Sequence, residues 1–167
     1  MRKLQFYIDY LYYLLFSKSK YSIHSPFVYD FIVKVLNDKS SKKNQNFNFV
    51  KLKYSKLIHR IINYYNLKKV LNLKDIKENE CLQTLDFIFF DIMNSNFLEL
   101  FTKEKNLNFF HNKSIVFIYN IHKSKEYNIL WKKIISKKKI TVSIDLFFAG
   151  IIFFRKEQVK QNFILRF

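Results

Sequence analysis

The sequence has 167 residues, 49% hydrophobic and 19% aromatic, which is enough to bury one sizeable core and excludes a disordered chain. Its formal net charge of +17 rests on 30 basic side chains, of which 4 are arginine. Phosphate and base recognition favours arginine's planar guanidinium, so the lysine excess favours compositional drift in an AT-rich genome over a selected nucleic-acid surface. RNA or an acidic membrane surface stays open as a partner for this charge.

The first segment, 3–17, carries apolar residues at helical spacing and predicts an amphipathic helix. Asp9 interrupts it, Lys18 and Lys20 follow it, and no small-residue cleavage site is present, so we do not interpret it as a signal peptide. It is also too short to span a bilayer. Two roles are open for this helix: covering the sheet, which lysines confined to its ends favour, or docking on a membrane surface or partner.

Ser25 and Pro26 predict the start of a second helix, as an N-cap followed by a proline in the first turn. Asp30 and Lys34 can pair across one turn of that helix. His24 precedes the cap and could contact a ligand, although such a residue more often closes the turn. Residues 37–52 are polar and without period, which predicts a loop, and 54–65 predict a third helix.

Short apolar runs then alternate with helical patterns, which predicts a mostly parallel sheet. The predicted strands lie at 69–73, 85–92 and 114–121, and the predicted helices at 95–105 and 123–138. Two further runs, 140–146 and 151–154, predict adjacent antiparallel strands. Gly150, the only glycine, lies in the link between them and indicates a position that tolerates no Cβ. Cys81 is the only cysteine, which excludes an intrachain disulfide and favours a cytoplasmic location.

Three stretches resemble a bacterial subfamily of class I S-adenosylmethionine-dependent methyltransferases with a His-Ser-Pro-Phe-Val motif. They are YSIHSPFVYDF at 21–31, TVSIDLFFAGIIFFRKEQ at 141–158 and FILRF at 163–167, and the resemblance extends over 1–73 and 85–167. It implies a Rossmann-like α/β domain at 53–167 with helices on both faces, and a helical N-terminal extension at 1–52 that packs on the core. Together these form one structural domain.

The resemblance also implies a shortened sheet. The family's strand order resembles 3-2-1-4-5-7-6, and only 11 residues separate the predicted strands that match 1 and 4. Loss of strands 2 and 3 would leave about five strands in the order 1-4-5-7-6, with the last-but-one antiparallel. Strand 1 would then become an exposed edge, open to a protein partner or to self-association.

The resemblance places cofactor-binding residues at Asn72, Lys74 and Asp91. Asn72 stands where the family has an acidic residue, and Lys74 where it has a glycine that lets the backbone approach S-adenosylmethionine. By position, the substrate, an unknown small molecule, would meet Asn94, Tyr119 and Asn120.

The family's paired carboxylates are absent from these positions, so no metal site and no acid–base pair are expected. The sequence therefore predicts a methyltransferase-like protein with weak or no activity. Two alternatives stay open: a basic, non-catalytic binding or scaffold protein, and an enzyme that binds the cofactor differently with help from a partner chain.

Overall fold

The computed structural model describes residues 2–38, 50–72, 85–93, 101, 107 and 110–167. Within these ranges six strands form one mixed open sheet: β1 (Val70–Asn72), β2 (Leu85–Asp91), β3 (Phe110–Tyr119), β4 (Val142–Asp145), β5 (Ala149–Phe153) and β6 (Gln161–Ile164). Their order across the sheet is β1-β2-β3-β5-β4-β6. β5 runs antiparallel to both neighbours, and every other pair is parallel. The predicted α/β class is therefore confirmed.

Four α-helices accompany the sheet in this part of the chain: α1 (Arg2–Phe16), α2 (Pro26–Phe31), α3 (Leu52–Tyr64) and α4 (Lys125–Ile135). α1, α3 and α4 each begin and end within three residues of their predicted bounds. The helix predicted at 95–105 lies almost wholly outside the described residues, as do most of the loop predicted at 37–52 and the short connection between β1 and β2.

The start of α2 confirms the predicted cap. The Ser25 hydroxyl accepts a hydrogen bond from the Val28 backbone N–H at 3.4 Å, and Pro26 is the first helical residue. Beyond Phe31 the helix widens into a π-helical turn, Ile32–Leu36. The predicted pair between Asp30 and Lys34 is present at 2.9 Å. Both side chains are half exposed, so this pair adds little to stability.

The sheet has a hydrophobic layer on each face. On one face, α2, its π-helical turn and α3 pack against alternate residues of the central strands. The apolar residues whose spacing predicted α3 all pack there: Tyr54, Leu57, Ile58 and Ile61 are buried, and Ile62 and Tyr65 are partly buried. On the other face, α4 contributes Trp131 and Ile134. Because both faces are covered, the central strands read as continuous apolar runs, as buried parallel strands do.

Two strands, β3 and β6, differ from the prediction by more than two residues. β3 begins at Phe110 rather than 114, because Phe110 pairs with Leu85 across a register shift in which the Ser114 hydroxyl accepts from the His111 backbone N–H at 2.9 Å. β6 was not predicted, since its sequence mixes polar and apolar residues without a clear run. It lies parallel to β4 at the edge of the sheet opposite β1.

Gly150 lies inside β5 rather than in the link, which is formed by 146–148. A Cβ placed on Gly150 would lie 2.5 Å from the nearest ring atom of Trp131. The backbone there has no positive φ. The prediction that this position tolerates no Cβ is therefore confirmed, and the cause is close packing against an indole ring.

α1 packs on the fold by a different face from the one predicted. Phe6, Tyr10 and Tyr13 surround the ring of Phe147, with ring centroids 5.3, 4.8 and 5.3 Å away. The Tyr13 hydroxyl also donates to the Leu165 carbonyl at 2.5 Å. The apolar stripe that we expected to cover the sheet faces solvent instead. Its members are Leu4, Tyr7, Ile8, Leu11, Tyr12, Leu14 and Leu15, and all except the partly buried Leu14 are at least half exposed.

Candidate functional site

The candidate site is the edge of the sheet at which β2, β3, β4 and β6 end. These strands run in the same direction, so their carboxyl ends meet there together with the start of β5. Ligands of α/β proteins bind at such an edge. Asn72 ends β1 on the same side. Of the predicted site residues, Lys74, Asn94 and the side chain of Asn72 lie outside what the structure describes.

Asp91 and Asn120, two of the predicted residues, contact each other directly. The Asn120 side-chain amide donates to one Asp91 carboxylate oxygen at 2.6 Å, and the Met93 backbone N–H donates to the other at 3.0 Å. Asn120 has a φ of 65°, a left-handed conformation that asparagine tolerates better than most residues. Its backbone N–H donates to the Phe148 carbonyl at 2.6 Å. Both carboxylate oxygens of Asp91 are thus engaged within the chain.

Tyr119, the third predicted residue described here, belongs to the core. Its side chain is 6% exposed, and its ring centroid lies 5.6 Å from that of Tyr54 on α3. Burial raises the pKa of the Tyr119 hydroxyl above its ordinary value, and the nearby charge of Asp91 acts in the same direction. Its backbone pairs with Asp91, but its side chain supports the core beneath the edge.

A second polar cluster at this edge was missed by the sequence reasoning. Asp145, at the end of β4, lies 2.6 Å from His122 Nε2 through one oxygen, and the same oxygen accepts from Trp131 Nε1–H at 3.2 Å. The other oxygen accepts from the Phe147 backbone N–H at 2.8 Å. A signal was available: His122 directly follows one predicted strand and Asp145 lies near the end of another, so parallel strands bring them to the same edge.

The His122–Asp145 pair has the geometry of a structural contact. An ionised Asp145 only accepts hydrogen bonds, so His122 donates through Nε2 and leaves Nδ1 as its second polar atom. Nδ1 is buried and has no hydrogen-bond partner among the residues described. The Phe147 ring stacks on the imidazole with a centroid distance of 5.2 Å. A general base must reach its substrate's proton, and this nitrogen is covered by protein.

The link between β4 and β5 is strained. The Phe148 backbone N–H donates to the Leu146 carbonyl at 2.9 Å, closing a three-residue turn around Phe147, whose φ is 66°. A γ-turn with positive φ is rare, and such a residue costs about 1–3 kcal/mol. Asp145 and the three aromatic rings of α1 hold Phe147 in this conformation. Strained residues of this kind cluster at functional sites. Here the strained turn directs the ring of Phe147 towards α1.

Two cavities lie near this fold's polar clusters. One, of about 460 Å³, is bordered by α1, α4, β4 and β6 and is lined by residues that include Tyr12, Tyr13, His122, Trp131, Asp145 and Asn162. The other, of about 530 Å³, lies beside the α2 cap, where the exposed His24 borders it together with Arg155. Neither cavity is lined by Asp91 or Asn120. Over the described ranges, no three His, Cys, Asp or Glu side chains are grouped as ligands for a metal ion.

Comparisons with models of protein families, with curated proteins and with solved structures find no match to this chain. What can be inferred about its function therefore rests on the geometry of its own residues.

Proposed function

We propose that this chain is a shortened relative of the class I S-adenosylmethionine-dependent methyltransferases that keeps the sheet as a scaffold and has lost methyl transfer. The strand order supports the proposal. β1-β2-β3-β5-β4, with β5 antiparallel, corresponds to the order 1-4-5-7-6 that remains when strands 2 and 3 are removed from the family's sheet.

The main support for the loss of activity is that the carboxylate of Asp91 is already hydrogen-bonded within the chain. Asp91 is the acidic residue retained at the edge where a ligand would bind, and both its oxygens already accept hydrogen bonds, from Asn120 and Met93. Hydrogen bonds to an ionised carboxylate are about twice as strong as neutral ones. A ligand would have to displace the 2.6 Å bond and leave the Asn120 amide without its acceptor.

The residues present do not fit S-adenosylmethionine in the way the family holds it. Asn72 offers a neutral amide where a carboxylate would accept from the ligand, and the weaker hydrogen bond lowers affinity. By the resemblance, Lys74 would bring a positive charge close to a cofactor that itself carries a positive sulfonium, which is repulsive. The sequence has one glycine, Gly150 in β5, so the residues that follow β1 include none.

The proposal is tested by calorimetric titration of the purified protein with S-adenosylmethionine and with its demethylated product, up to millimolar concentration. We expect no saturable heat and no shift in the thermal melting temperature. An Asp91→Ala variant is the matched control, since it removes the retained carboxylate. Saturable binding by the native chain would overturn the proposal, and loss of that binding in Asp91→Ala would place the ligand at this edge.

A basic binding protein for RNA is the alternative function. The structure offers it fewer stacking surfaces than the tyrosine pairs of the sequence indicate, because Tyr13 is buried and Tyr12 already packs on Phe16 at 4.2 Å between ring centroids. Tyr64 likewise contacts Tyr65 at 4.8 Å. Binding of single-stranded RNA that weakens steeply with added salt would favour this alternative, and binding insensitive to salt would remove it.

A further inference from the structure

α1 has two apolar faces, and among the residues that the structure describes only one of them packs against the rest of the fold. Phe6, Tyr10 and Tyr13 face inward onto the link between β4 and β5. The opposite face carries the outer stripe, five residues at the helical spacing i, i+3, i+4, i+7 and i+11. Its members and their exposed fractions are Leu4 67%, Tyr7 61%, Ile8 50%, Leu11 59% and Leu15 80%.

This exposure is unusual for a surface helix, which normally turns one apolar stripe inward and a polar face to water. Tyr12 and Phe16 widen the outer stripe, at 57% and 55% exposed. The helix's acidic side chain, Asp9, lies to one side and accepts from the Gln5 amide at 2.9 Å, so it does not interrupt the stripe. A contiguous apolar patch of this kind marks an interaction surface.

The charge of the protein decides what such a surface fits. A net charge of +17 opposes contact with a second copy and attracts an anionic surface. Exposed Lys18 lies two residues beyond the end of the helix, and tyrosine hydroxyls on the outer stripe suit the boundary between apolar and polar phases. The outer stripe lies on a single convex helix, which a planar surface can accept without a matching groove.

The length of α1 decides how it would meet a bilayer. Its 15 residues extend about 22 Å at ~1.5 Å per residue, less than a hydrocarbon core of about 30 Å. Of the helices described, none combines the length and apolar character needed to cross a membrane. A helix of these dimensions lies in the plane of the interface with its apolar face downward.

We propose that the outer stripe of α1 inserts into the interface of an anionic lipid bilayer and so attaches the protein to a membrane surface. The apolar side chains enter the acyl boundary while the protein's excess positive charge attracts the acidic headgroups. This attachment uses a face of α1 that the sheet and its carboxyl edge do not use, and it does not depend on whether methyl transfer has been lost.

The test is co-sedimentation with vesicles of phosphatidylcholine containing about one third phosphatidylserine, compared with pure phosphatidylcholine. Leu15→Asp introduces a charge into the outer stripe. Val159→Asp is the matched control, because Val159 is also 80% exposed. It precedes β6 and so lies at the amino end of that strand, whereas α1 contacts the chain just after the carboxyl end. We expect Leu15→Asp to lower the partition coefficient about tenfold or more, and Val159→Asp to change it about twofold at most.

Three results would overturn the proposal: no binding to anionic vesicles, equal binding to both vesicle types, or equal losses in the two variants. Leu11→Asp is a second stripe variant that places the charge at mid-helix, and circular dichroism of each variant checks that the fold is retained. If light scattering shows a native dimer that Leu15→Asp converts to monomer, the outer stripe pairs two copies of the chain and the membrane proposal is wrong.

Discussion

Gly150 offers the sharpest test of how α4 packs against the sheet. In Gly150→Ala the new methyl group would lie 2.5, 2.7 and 3.0 Å from three ring atoms of Trp131, whereas carbon atoms pack best about 3.5–4.0 Å apart. The ring would have to retreat by roughly 1 Å. Trp131 is 2% exposed, and its indole N–H donates to Asp145 at 3.2 Å, so a shift of this size would also weaken that bond.

The expected cost combines three contributions. Overpacking a filled core costs about 1–3 kcal/mol. A hydrogen bond to a charged acceptor is worth about 1.5–3 kcal/mol, and weakening it costs part of that amount. Restriction of the unfolded chain by alanine offsets about 0.4–1 kcal/mol. Gly150→Ala should therefore lower the free energy of unfolding by about 2–4 kcal/mol, a large part of a typical domain's stability.

Urea unfolding followed by circular dichroism measures this cost in Gly150→Ala, Trp131→Leu and the double variant. Trp131→Leu removes the ring that the methyl group meets, so the double variant should be at least about 1 kcal/mol more stable than the sum of the single losses predicts. If Gly150→Ala unfolds within about 0.5 kcal/mol of the native chain, or if the two losses simply add, then the ring does not set the need for glycine.

Three further predictions concern polar contacts that join distant segments. Tyr13→Phe should lower the free energy of unfolding by about 0.5–1.5 kcal/mol at pH 7, because it removes the hydrogen bond to the Leu165 carbonyl. Burial raises the pKa of Tyr13 to about 12, so the native chain should lose stability between about pH 10 and 12. An alkaline titration of stability should show a smaller loss in the variant. Burial acts to raise the pKa of Asp86, but the backbone N–H groups before β1 and the ring of His111 hold it below its ordinary value. The stability that this gives is present above about pH 4 and is lost as the pH falls through the lowered pKa. When each protein is compared with its own stability at neutral pH, acid unfolding of Asp86→Asn should therefore begin at a lower pH than that of the native chain. Asn120→Ala should cost more in thermal melting than Asn120→Gly, since both lose the amide bond to Asp91 but only glycine adopts the left-handed backbone without strain; equal losses would show that the strain is unimportant.

The elements that could be predicted from sequence are those whose signal is local. Ser25 and Pro26 define the start of α2 because capping depends on neighbouring residues, and the stripe of α3 is buried because its period matches the helix. β6 could not be predicted, because its pairing depends on β4, whose Ser143 hydroxyl donates to Asn162 at 2.7 Å. Such an edge strand depends on a partner 19 residues away in sequence, and its own composition carries little signal.

The error at α1 has a physical reason that applies more widely. Both of its faces are apolar, so helical periodicity gives two candidate stripes, and the sequence offers nothing to say which one faces the protein. The choice is made by the strained turn at Phe147, whose ring needs cover and receives it from Phe6, Tyr10 and Tyr13. The outer stripe, although its leucine and isoleucine side chains are more hydrophobic than tyrosine, is consequently left exposed.

The same contacts help to explain why the Asp91–Asn120 part of the candidate site offers no free acceptor to a ligand. The link between β4 and β5 lies over the ends of the central strands, where the Phe148 carbonyl accepts from the Asn120 N–H and the Leu146 carbonyl accepts from the Tyr54 hydroxyl at 3.3 Å. α1 then covers the link, and its aromatic rings occupy the space above it. A ligand that bound Asp91 would have to break its bond to Asn120, whose backbone N–H is in turn held by the carbonyl of Phe148 in this link. A surface that needs no such rearrangement is already present on the other side of the same helix, which is why we look for this protein's partner there.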